Sequence, residues 1–175
     1  MFLVSEVHGT WGKAKEIPGT AALNAGGSAD VGSVSCATAG NCSAGGNYKD
    51  SSQRYQAFVI NQVNGIWGTA EEVPGTATLN TGGNAAINSL SCASAGNCSA
   101  GGSYTDSSGG FQALVVSQVG GTWGTAKEVP GTATLNTGGF GVTYSVSCAS
   151  AGNCSAGGTY FDSSGHVQAF VVSES

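Results

Sequence analysis

Charged residues are scarce in this sequence: they make up 9% of its 175 residues, about a third of the usual share. Arg54 is its one arginine, and the net charge is −5. No basic cluster occurs, so the composition argues against a nucleic-acid surface and against a polybasic membrane patch. No apolar run approaches the roughly 20 residues of a membrane-spanning helix. We therefore expect neither nucleic-acid binding nor membrane insertion.

Residues that carry chemistry are equally sparse. His8 and His166 are the only histidines, and they occupy unrelated positions. No Ser-His-Asp set can be assembled from recurring positions, and a sialidase-like site would need several arginines. Zinc takes about four ligands, which two isolated histidines do not supply. We therefore expect a protein that is not an enzyme, with no catalytic residue, no metal site and no cofactor.

Glycine, in contrast, is abundant, and the sequence repeats itself every 56 residues. The tryptophans at 11, 67 and 123 and the prolines at 18, 74 and 130 keep this spacing. Residues 57–112 and 113–168 are identical at 40 of 56 positions, which is the signature of a repeat architecture. We treat 1–175 as a single repeat domain. Its repeats are 1–56, 57–112 and 113–168, and 169–175 is a fourth copy of the repeat's third strand.

Each repeat carries the pattern of four strands, named A to D here. In the second repeat, alternating residues and turn signals place them at about 89–92, 98–104, 111–117 and 122–129. A long loop opens at Pro74, and no stretch shows helical periodicity, so helix is expected to be essentially absent. Strand C is apolar on consecutive positions, 113–116, which indicates that both of its faces are covered.

Four-stranded antiparallel sheets that are covered on both faces fit the blades of a β-propeller. Propellers have four to eight blades, so three would not close a ring. We expect the ring to be completed by oligomerisation, with a six-bladed homodimer favoured and a nine-bladed homotrimer as the other solution. A β-trefoil is the main alternative because it also has three four-stranded units, and a β-prism or solenoid stays open.

The repeat pattern starts with strands C and D and finishes with strands A, B and C. A strand D from one copy would then complete the last sheet of another copy. One copy of strand C is redundant at such a seam, and the sequence does not decide which copy is used.

Six cysteines form three C-x5-C pairs that flank the A–B hairpin of each repeat. The hairpin register places the two members of each pair opposite each other, close enough to bond. Disulfides form in oxidising compartments, so we expect an extracellular or cell-surface protein. The predicted disulfides are Cys36–Cys42, Cys92–Cys98 and Cys148–Cys154.

The pattern Ser-Val-Ser-Cys-x5-Cys-x-Ala-Gly-Gly-x-Tyr is followed by an Ala-Phe-Val-Val strand and Gly-Thr-Trp. Together these motifs resemble the Cys-paired repeats of secreted and cell-surface bacterial proteins. Such repeats are generally regarded as β-propeller blades. The resemblance covers the whole chain and implies a fold and a compartment, but it brings no catalytic residues with it.

Several recurring side chains allow both a structural and a functional interpretation. The aspartates at 50, 106 and 162 are predicted to cap turns rather than bind calcium, which takes 6–8 oxygens. The tryptophans are predicted to pack within the fold rather than stack on sugars. The glutamates at 16, 72 and 128 are expected to decorate the outer strand.

The repeats differ most in the segment that enters strand A and beside the B–C turn. In a four-stranded meander these connections share one end, so one rim of the ring is chemically varied. This variation favours a ligand surface for a glycan or a peptide, as in a lectin, because recognition is commonly carried by loops. It also fits drift in a purely structural or surface-display repeat, or a designed or excerpted propeller fragment with no ligand. The candidate ligand-binding residues are Asp30, Tyr48, Arg54, Asn84, Asn88, Tyr104, Phe140, Tyr144 and Tyr160.

Overall fold

The structure is a computed structural model that describes residues 2–174, with 57% of the chain in strands and 7% in helices. The predicted all-β class is confirmed. The chain opens with an N-terminal hairpin of four short strands: β1 (Phe2–Leu3), β2 (Glu6–Val7), β3 (Thr10–Trp11) and β4 (Lys15–Glu16). Within it, β1 pairs with β4 and β2 pairs with β3, both antiparallel. This hairpin carries the strand C and strand D patterns of the repeat.

Three larger antiparallel sheets follow, one after another along the chain. Sheet I contains β5 (Ala29–Thr38), β6 (Asn41–Lys49), β7 (Tyr55–Val63), β8 (Ile66–Trp67) and β9 (Glu71–Glu72). Sheet II contains β10 (Ala86–Ser94), β11 (Asn97–Thr105), β12 (Phe111–Val119), β13 (Thr122–Trp123) and β14 (Lys127–Glu128). Sheet III contains β15 (Gly141–Ser150), β16 (Asn153–Phe161) and β17 (Val167–Ser173).

Strands A, B and C are each continuous, whereas the predicted strand D is divided into two short strands. In sheet II, β13 pairs with the end of β12, and β14 pairs with its middle. Gly124 lies between them and donates its backbone N–H to the carbonyl of Ser117 at 2.9 Å. The four-stranded repeat is thus present in sheets I and II, with an interruption that the alternation of residues does not predict.

Helix is not absent, which corrects the prediction made from periodicity. One-turn helices follow the Pro-Gly of each repeat: α1 (Thr20–Leu23), α2 (Thr76–Leu79) and α3 (Thr132–Leu135). Each begins with a threonine whose hydroxyl donates to a carbonyl three residues earlier, as in the 2.7 Å bond from Thr76 to Val73. Four residues are too few to show a helical period. None of the described helices is long and apolar enough to cross a membrane.

The cysteine pairs lie at matching positions of the A–B hairpins. Cys92 pairs with Cys98 in the register of β10 and β11, and the other repeats do the same. All three predicted disulfides are present, and no described cysteine is free. Each closes a short loop, so the chain-entropy contribution is roughly 2 kcal/mol or less. Each disulfide therefore stabilises the A–B hairpin of its own sheet, and none of the three joins one sheet to the next.

Strand C is buried on both faces in sheets I and II, as predicted. Phe58, Val59 and Ile60 of β7 are consecutive and fully buried. One face of β7 contributes to a core with Ile17 of the N-terminal hairpin, and the other face contributes to a core with Leu90 of sheet II. Sheets I and II therefore each lie between two neighbouring layers, which is how a strand with apolar residues on consecutive positions avoids water.

Serine hydroxyls connect the strand A of one sheet to the strand A of the next. The Leu90 N–H donates to Ser33 Oγ at 3.0 Å, and the Cys92 N–H donates to Ser35 Oγ at 3.1 Å. Between sheets II and III, the Val146 N–H donates to Ser89 Oγ at 3.0 Å, which is the equivalent of the bond from Leu90 to Ser33. Strand A is an edge strand, so these hydroxyls satisfy backbone donors that the sheet leaves unpaired.

The described strands form open sheets, and none of them closes on itself. No closed barrel is present in residues 2–174, so the trefoil alternative finds no support there. The repetition of sheets is as predicted. Their arrangement as blades of a closed propeller stays a prediction.

We expect Ser89→Ala to lower the free energy of unfolding by about 1–3 kcal/mol, because the Val146 N–H would lose its acceptor. Ser145→Ala is the matched control. It lies at the same repeat position, is exposed, and accepts no such bond from the described residues, so a change within about 0.5 kcal/mol is expected. Urea unfolding of both variants in dilute solution provides the comparison. Equal losses would contradict the role assigned to the serine hydroxyls.

Candidate functional site

Two ends of the sheets differ, as the repeat comparison predicts. At one end, the A–B turn meets the C–D turn: Gly96 O accepts from Gly121 N–H at 2.8 Å. At the other end, the B–C turn meets the segment that leads into the next strand A. There Gly83 O accepts from Tyr55 N–H at 2.9 Å. We call this second end the rim, and it carries the residues that vary between repeats.

An aspartate organises each turn of the rim. Asp106 Oδ1 accepts from the N–H groups of Ser108 and Gly110 at 2.8 and 3.0 Å, and Oδ2 accepts from Gln112 Nε2 at 2.7 Å. Asp50 and Asp162 make the equivalent bonds in the other repeats. The prediction that these aspartates cap turns is confirmed. Within residues 2–174, no three potential metal ligands come together.

Hydrogen bonds to the carboxylate lower the pKa of these aspartates. Bonds from the Ser108 hydroxyl, from the Gln112 amide and from two backbone N–H groups hold the pKa of Asp106 at about 2. The pKa values of Asp50 and Asp162 are also lowered, chiefly by the glutamine that follows in each turn. The turns are therefore built around charged carboxylates at neutral pH, which fixes the shape of the rim.

An asparagine at each α-helix end ties the rim together. The buried Asn80 donates from Nδ2 to Tyr55 O and to Gln56 Oε1, both at 2.9 Å. Its Oδ1 accepts from the Asn84 N–H at 2.7 Å. Asn136 makes the same bonds between sheets II and III. Sequence reasoning missed this residue, although its identity at position 24, 80 and 136 of the repeats was a usable signal.

The rim differs chemically from one pair of sheets to the next. Between sheets II and III, Phe140 lies between Phe111 and Phe161, with ring centroids 5.8 and 4.8 Å away. These three half-buried rings are called the phenylalanine cluster below. Between sheets I and II the equivalent residues include the exposed Asn84, and the exposed Arg54 donates to Thr81 O at 3.4 Å. The same scaffold therefore presents an aromatic patch at one place and a polar patch at another.

Two of the predicted ligand residues are buried and do not reach the surface of the rim. Tyr48 and Tyr104 donate their hydroxyls to Glu72 and Glu128, at 3.2 and 3.4 Å. Burial, together with the charge of Glu128, raises the pKa of Tyr104 to about 12. The same causes raise the pKa of Tyr48. These glutamates, expected to decorate the outer strand, are half-buried acceptors instead, whereas Glu16 is exposed.

The other predicted ligand residues are divided between the rim and the spaces between sheets. Asp30, Arg54 and Asn84 are exposed, and Phe140 is half-buried. Asn88 is half-buried and donates to Thr143 O between sheets II and III, at 3.1 Å. Tyr144 occupies the equivalent position on β15 and is exposed, and Tyr160 is half-buried on β16. The rim thus gathers Arg54, Asn84 and Phe140 but not the tyrosines.

The outer faces of sheets I and III are a second candidate surface. Val34 on β5 is 56% exposed, whereas its repeat equivalents Leu90 and Val146 are 5% and 9% exposed. We call the face of sheet I that carries Val31 and Val34 the front face. The back face is the side of sheet III that carries Val171, which is 80% exposed although its equivalent Val59 is fully buried.

A cavity of about 170 Å³ lies between sheets II and III. Among its lining residues are Val115, Ser117 and Val146. Glu174 lies in it and accepts from the Ser117 hydroxyl at 2.6 Å and from the Ser99 hydroxyl at 3.3 Å. The equivalent space between sheets I and II is occupied by Trp123, which packs there with Val59 and Leu90.

The tryptophans confirm the packing prediction in part. Trp123 is 5% exposed, and its Nε1 donates to Asn61 Oδ1 at 3.1 Å. Trp67 is half-buried, and Trp11 in the N-terminal hairpin is 65% exposed. The three equivalent tryptophans therefore become more buried along the chain. Trp123 is buried because sheet I precedes its own sheet and covers it.

Comparison with protein-family models and with curated proteins finds no match for this chain.

The charged state of the rim aspartates predicts a loss of stability in acid. Asp106 has a pKa of about 2 when folded and about 4 when unfolded, so its contribution is complete above pH 4 and is lost as the pH falls toward 2. We expect Asp106→Asn to reduce the slope of the unfolding free energy against pH in this window. Ser107→Ala, at the exposed neighbour, should keep the wild-type slope. Denaturant unfolding at several pH values measures both, and identical slopes for all three proteins would contradict the prediction.

Proposed function

We propose that the protein is a non-catalytic extracellular repeat module that assembles with copies of itself into a closed ring. In this proposal the rim of the ring binds a glycan or a peptide. One observation carries the assembly: the front and back faces expose apolar side chains, Val34 and Val171, whose repeat equivalents are buried or half-buried. Apolar area that is removed from water contributes about 25 cal/mol per Å², so exposed layers of this kind favour association.

The two faces are different surfaces, and this difference sets the kind of assembly. Val34 projects from the front face, and Val171 projects from the back face. Inside the chain, a front-type surface always packs on a back-type surface, as sheet II packs on sheet I and sheet III on sheet II. A second copy that follows the same rule joins head to tail. Head-to-tail contacts form a ring when the rotation closes and a fibre when it does not.

The proposed ring contains a whole number of repeats from each copy. Propellers have four to eight blades, so two copies with three repeats each give a six-bladed homodimer within this range. A homotrimer with nine blades lies outside it. The homodimer is therefore favoured.

The disulfides support the extracellular part of the proposal. Three intrachain disulfides indicate an oxidising environment, because the cytosol keeps such thiols reduced. The resemblance of the cysteine motifs to repeats of secreted and cell-surface bacterial proteins points in the same direction.

The phenylalanine cluster supports ligand binding at the rim. Aromatic rings provide flat apolar surfaces, and the exposed Asn84 amide and Arg54 guanidinium, at the preceding junction of the rim, supply hydrogen bonds for glycan hydroxyls or a peptide backbone. The rim combines both kinds of group on turns that the aspartates and asparagines hold rigid. Variation concentrated on a rigid rim is the arrangement found in many binding scaffolds.

The assembly is tested by placing a charge on the front face. Val34→Asp should abolish association, because a carboxylate would be desolvated at the junction without a partner. Val119→Asp is the matched control: Val119 is also exposed, and its repeat equivalent Val63 stays exposed although sheet II packs on sheet I, so a charge at this position remains in water. Light scattering across protein concentrations gives the masses. A monomeric wild-type chain, or equal association of both variants, would contradict the proposed assembly.

Ligand binding is tested on glycan and peptide arrays with the folded, disulfide-bonded chain. Phe140→Ala should weaken any specific binding by tenfold or more, since it removes the central ring of the phenylalanine cluster. Phe2→Ala, at an exposed ring in the N-terminal hairpin, should leave binding unchanged. Absence of binding on both arrays would favour the purely structural or surface-display alternative.

A further inference from the structure

We propose that a second copy of this chain completes sheet III by inserting its Trp11 into the cavity between sheets II and III. The inference rests on the proposed self-assembly and specifies the junction through which it occurs. It follows from two equivalent places, 56 residues apart in the repeat: the one between sheets I and II is filled, and the one between sheets II and III is empty.

The filled place lies between sheets I and II. Trp123 of β13 packs there with Val59 and Leu90, and its indole N–H donates to Asn61 Oδ1. Trp123 lies opposite Gln118 in the register of β12 and β13. A tryptophan on strand D therefore belongs between its own sheet and the preceding one.

The empty place lies between sheets II and III. Its walls include Val115, Ser117 and Val146, which are the repeat equivalents of Val59, Asn61 and Leu90. The cavity of about 170 Å³ contains no aromatic side chain. Engineered cavities of about 150 Å³ admit a benzene ring, so this space can accept part of an indole. Ser117 offers its hydroxyl oxygen as the acceptor, where Asn61 offers its amide Oδ1 in the filled place.

Trp11 is the residue of the repeat that matches this space. It is 65% exposed on β3, which has the strand D pattern, and it is the repeat equivalent of Trp123. In sheet III, β17 pairs with β16 on one side only within the described residues. If β3 and β4 of a second copy lie along the other side, the register of sheet II places Trp11 opposite Glu174.

A tyrosine–glutamate pair supports the same register independently. In sheets I and II, a buried tyrosine on strand B donates to a glutamate on strand D. The equivalent tyrosine of sheet III is Tyr160, and no such glutamate lies beside it among residues 2–174. The equivalent glutamate of the N-terminal hairpin is Glu16, which is exposed and lacks a tyrosine there. The junction brings the two together.

The serine bonds match as well. Ser145 and Ser147 of β15 are exposed, and their equivalents Ser89 and Ser91 accept backbone N–H groups from the next strand A. On the front face of the second copy, the N–H groups of Val34 and Cys36 occupy the positions of those donors. Val34 of the second copy would then pack over Gly157, as Val146 packs over Gly101 within the chain. The contact at Gly101 is close: a Cβ atom added to this glycine would lie 2.9 Å from Val146 Cγ2.

Of the two copies of strand C at this junction, the N-terminal copy, β1 and β2, is the one that is displaced from its pairing. β1 pairs with β4 at two positions, Phe2 with Glu16 and Leu3 with Lys15. In contrast, β17 pairs with β16 at seven positions. If β3 and β4 pair with β17 of another copy in the register of β12 with β13 and β14, they exchange one set of short pairings for an equivalent one. This exchange releases residues 2–7 and leaves the longer β16–β17 pairing of sheet III intact.

Glu174 opposes this insertion, because its carboxylate lies in the cavity and would lose water beside an indole. The equivalent residue in sheet II is Gln118, which is neutral and buried opposite Trp123. We therefore expect Glu174→Gln to strengthen association. Stronger association cannot be explained by a destabilised monomer, so this result would report on the junction itself.

The experiment measures dissociation constants of the full chain and three variants by sedimentation equilibrium. Trp11→Ala should weaken association roughly 30-fold or more, the effect of losing a hot spot of about 2 kcal/mol. Phe2→Ala is the matched control on the same hairpin and should leave the constant unchanged, since residues 2–7 are released. Glu174→Gln should lower the constant. Acrylamide quenching of the wild-type chain, with Trp11→Phe as the reference, should show that Trp11 becomes shielded on association.

The outcomes separate the two proposals. A wild-type chain that stays monomeric overturns both the self-assembly and the junction. Association that survives Trp11→Ala unchanged, or in which Trp11 stays quenchable, overturns the junction and leaves the self-assembly standing. A loss of association in both Trp11→Ala and Phe2→Ala shows that the whole hairpin binds as it stands, without strand exchange, and also overturns the junction.

Discussion

The need to cover both faces of a thin sheet governs this molecule. With apolar residues at consecutive positions of strand C, neither face of sheet I or sheet II can be left to water. Strand A adds a second demand, because its outer edge carries backbone N–H groups that its own sheet cannot pair. A neighbouring sheet meets both demands at once: it supplies apolar contacts to the face and a serine hydroxyl to the edge. The repeat is therefore a unit that is complete only when it is stacked.

Small residues make this stacking possible. Strand B has Gly45 and Gly101 where the strand A of the next sheet approaches, and a methyl group at Gly45 would lie 2.9 Å from Ile87 Cγ2. Serine and alanine occupy the remaining positions near this contact, and the bulky residues lie on strand C. These strand B glycines are thus a packing requirement, whereas others, such as Gly96 and Gly121, lie in turns with positive φ.

Local patterns allowed most of the fold to be predicted from sequence. Strand positions, the register of Cys92 with Cys98 and the capping role of Asp106 depend on residues close in the chain, so their spacing was sufficient. The one-turn helices were missed because four residues show no period. The burial of Tyr104 was missed because it depends on Glu128, 24 residues away on another strand. The serine acceptors were missed because their partners lie on a different sheet, 57 residues away. The features that could not be predicted depend on contacts between residues that are distant in the sequence, either on different strands or on neighbouring sheets.

The serine bonds also give the stack a direction. Each sheet presents hydroxyl acceptors on its back side and backbone N–H donors on its front side, as Ser89 and Val146 illustrate. Two front faces brought together would oppose donors to donors, and two back faces would oppose hydroxyls to hydroxyls around the exposed Val171. Neither arrangement satisfies the edge of strand A. A symmetric face-to-face pair is therefore disfavoured by the same chemistry that holds neighbouring repeats together. Only a head-to-tail order continues it, and among head-to-tail assemblies a closed ring alone leaves no front or back face in water.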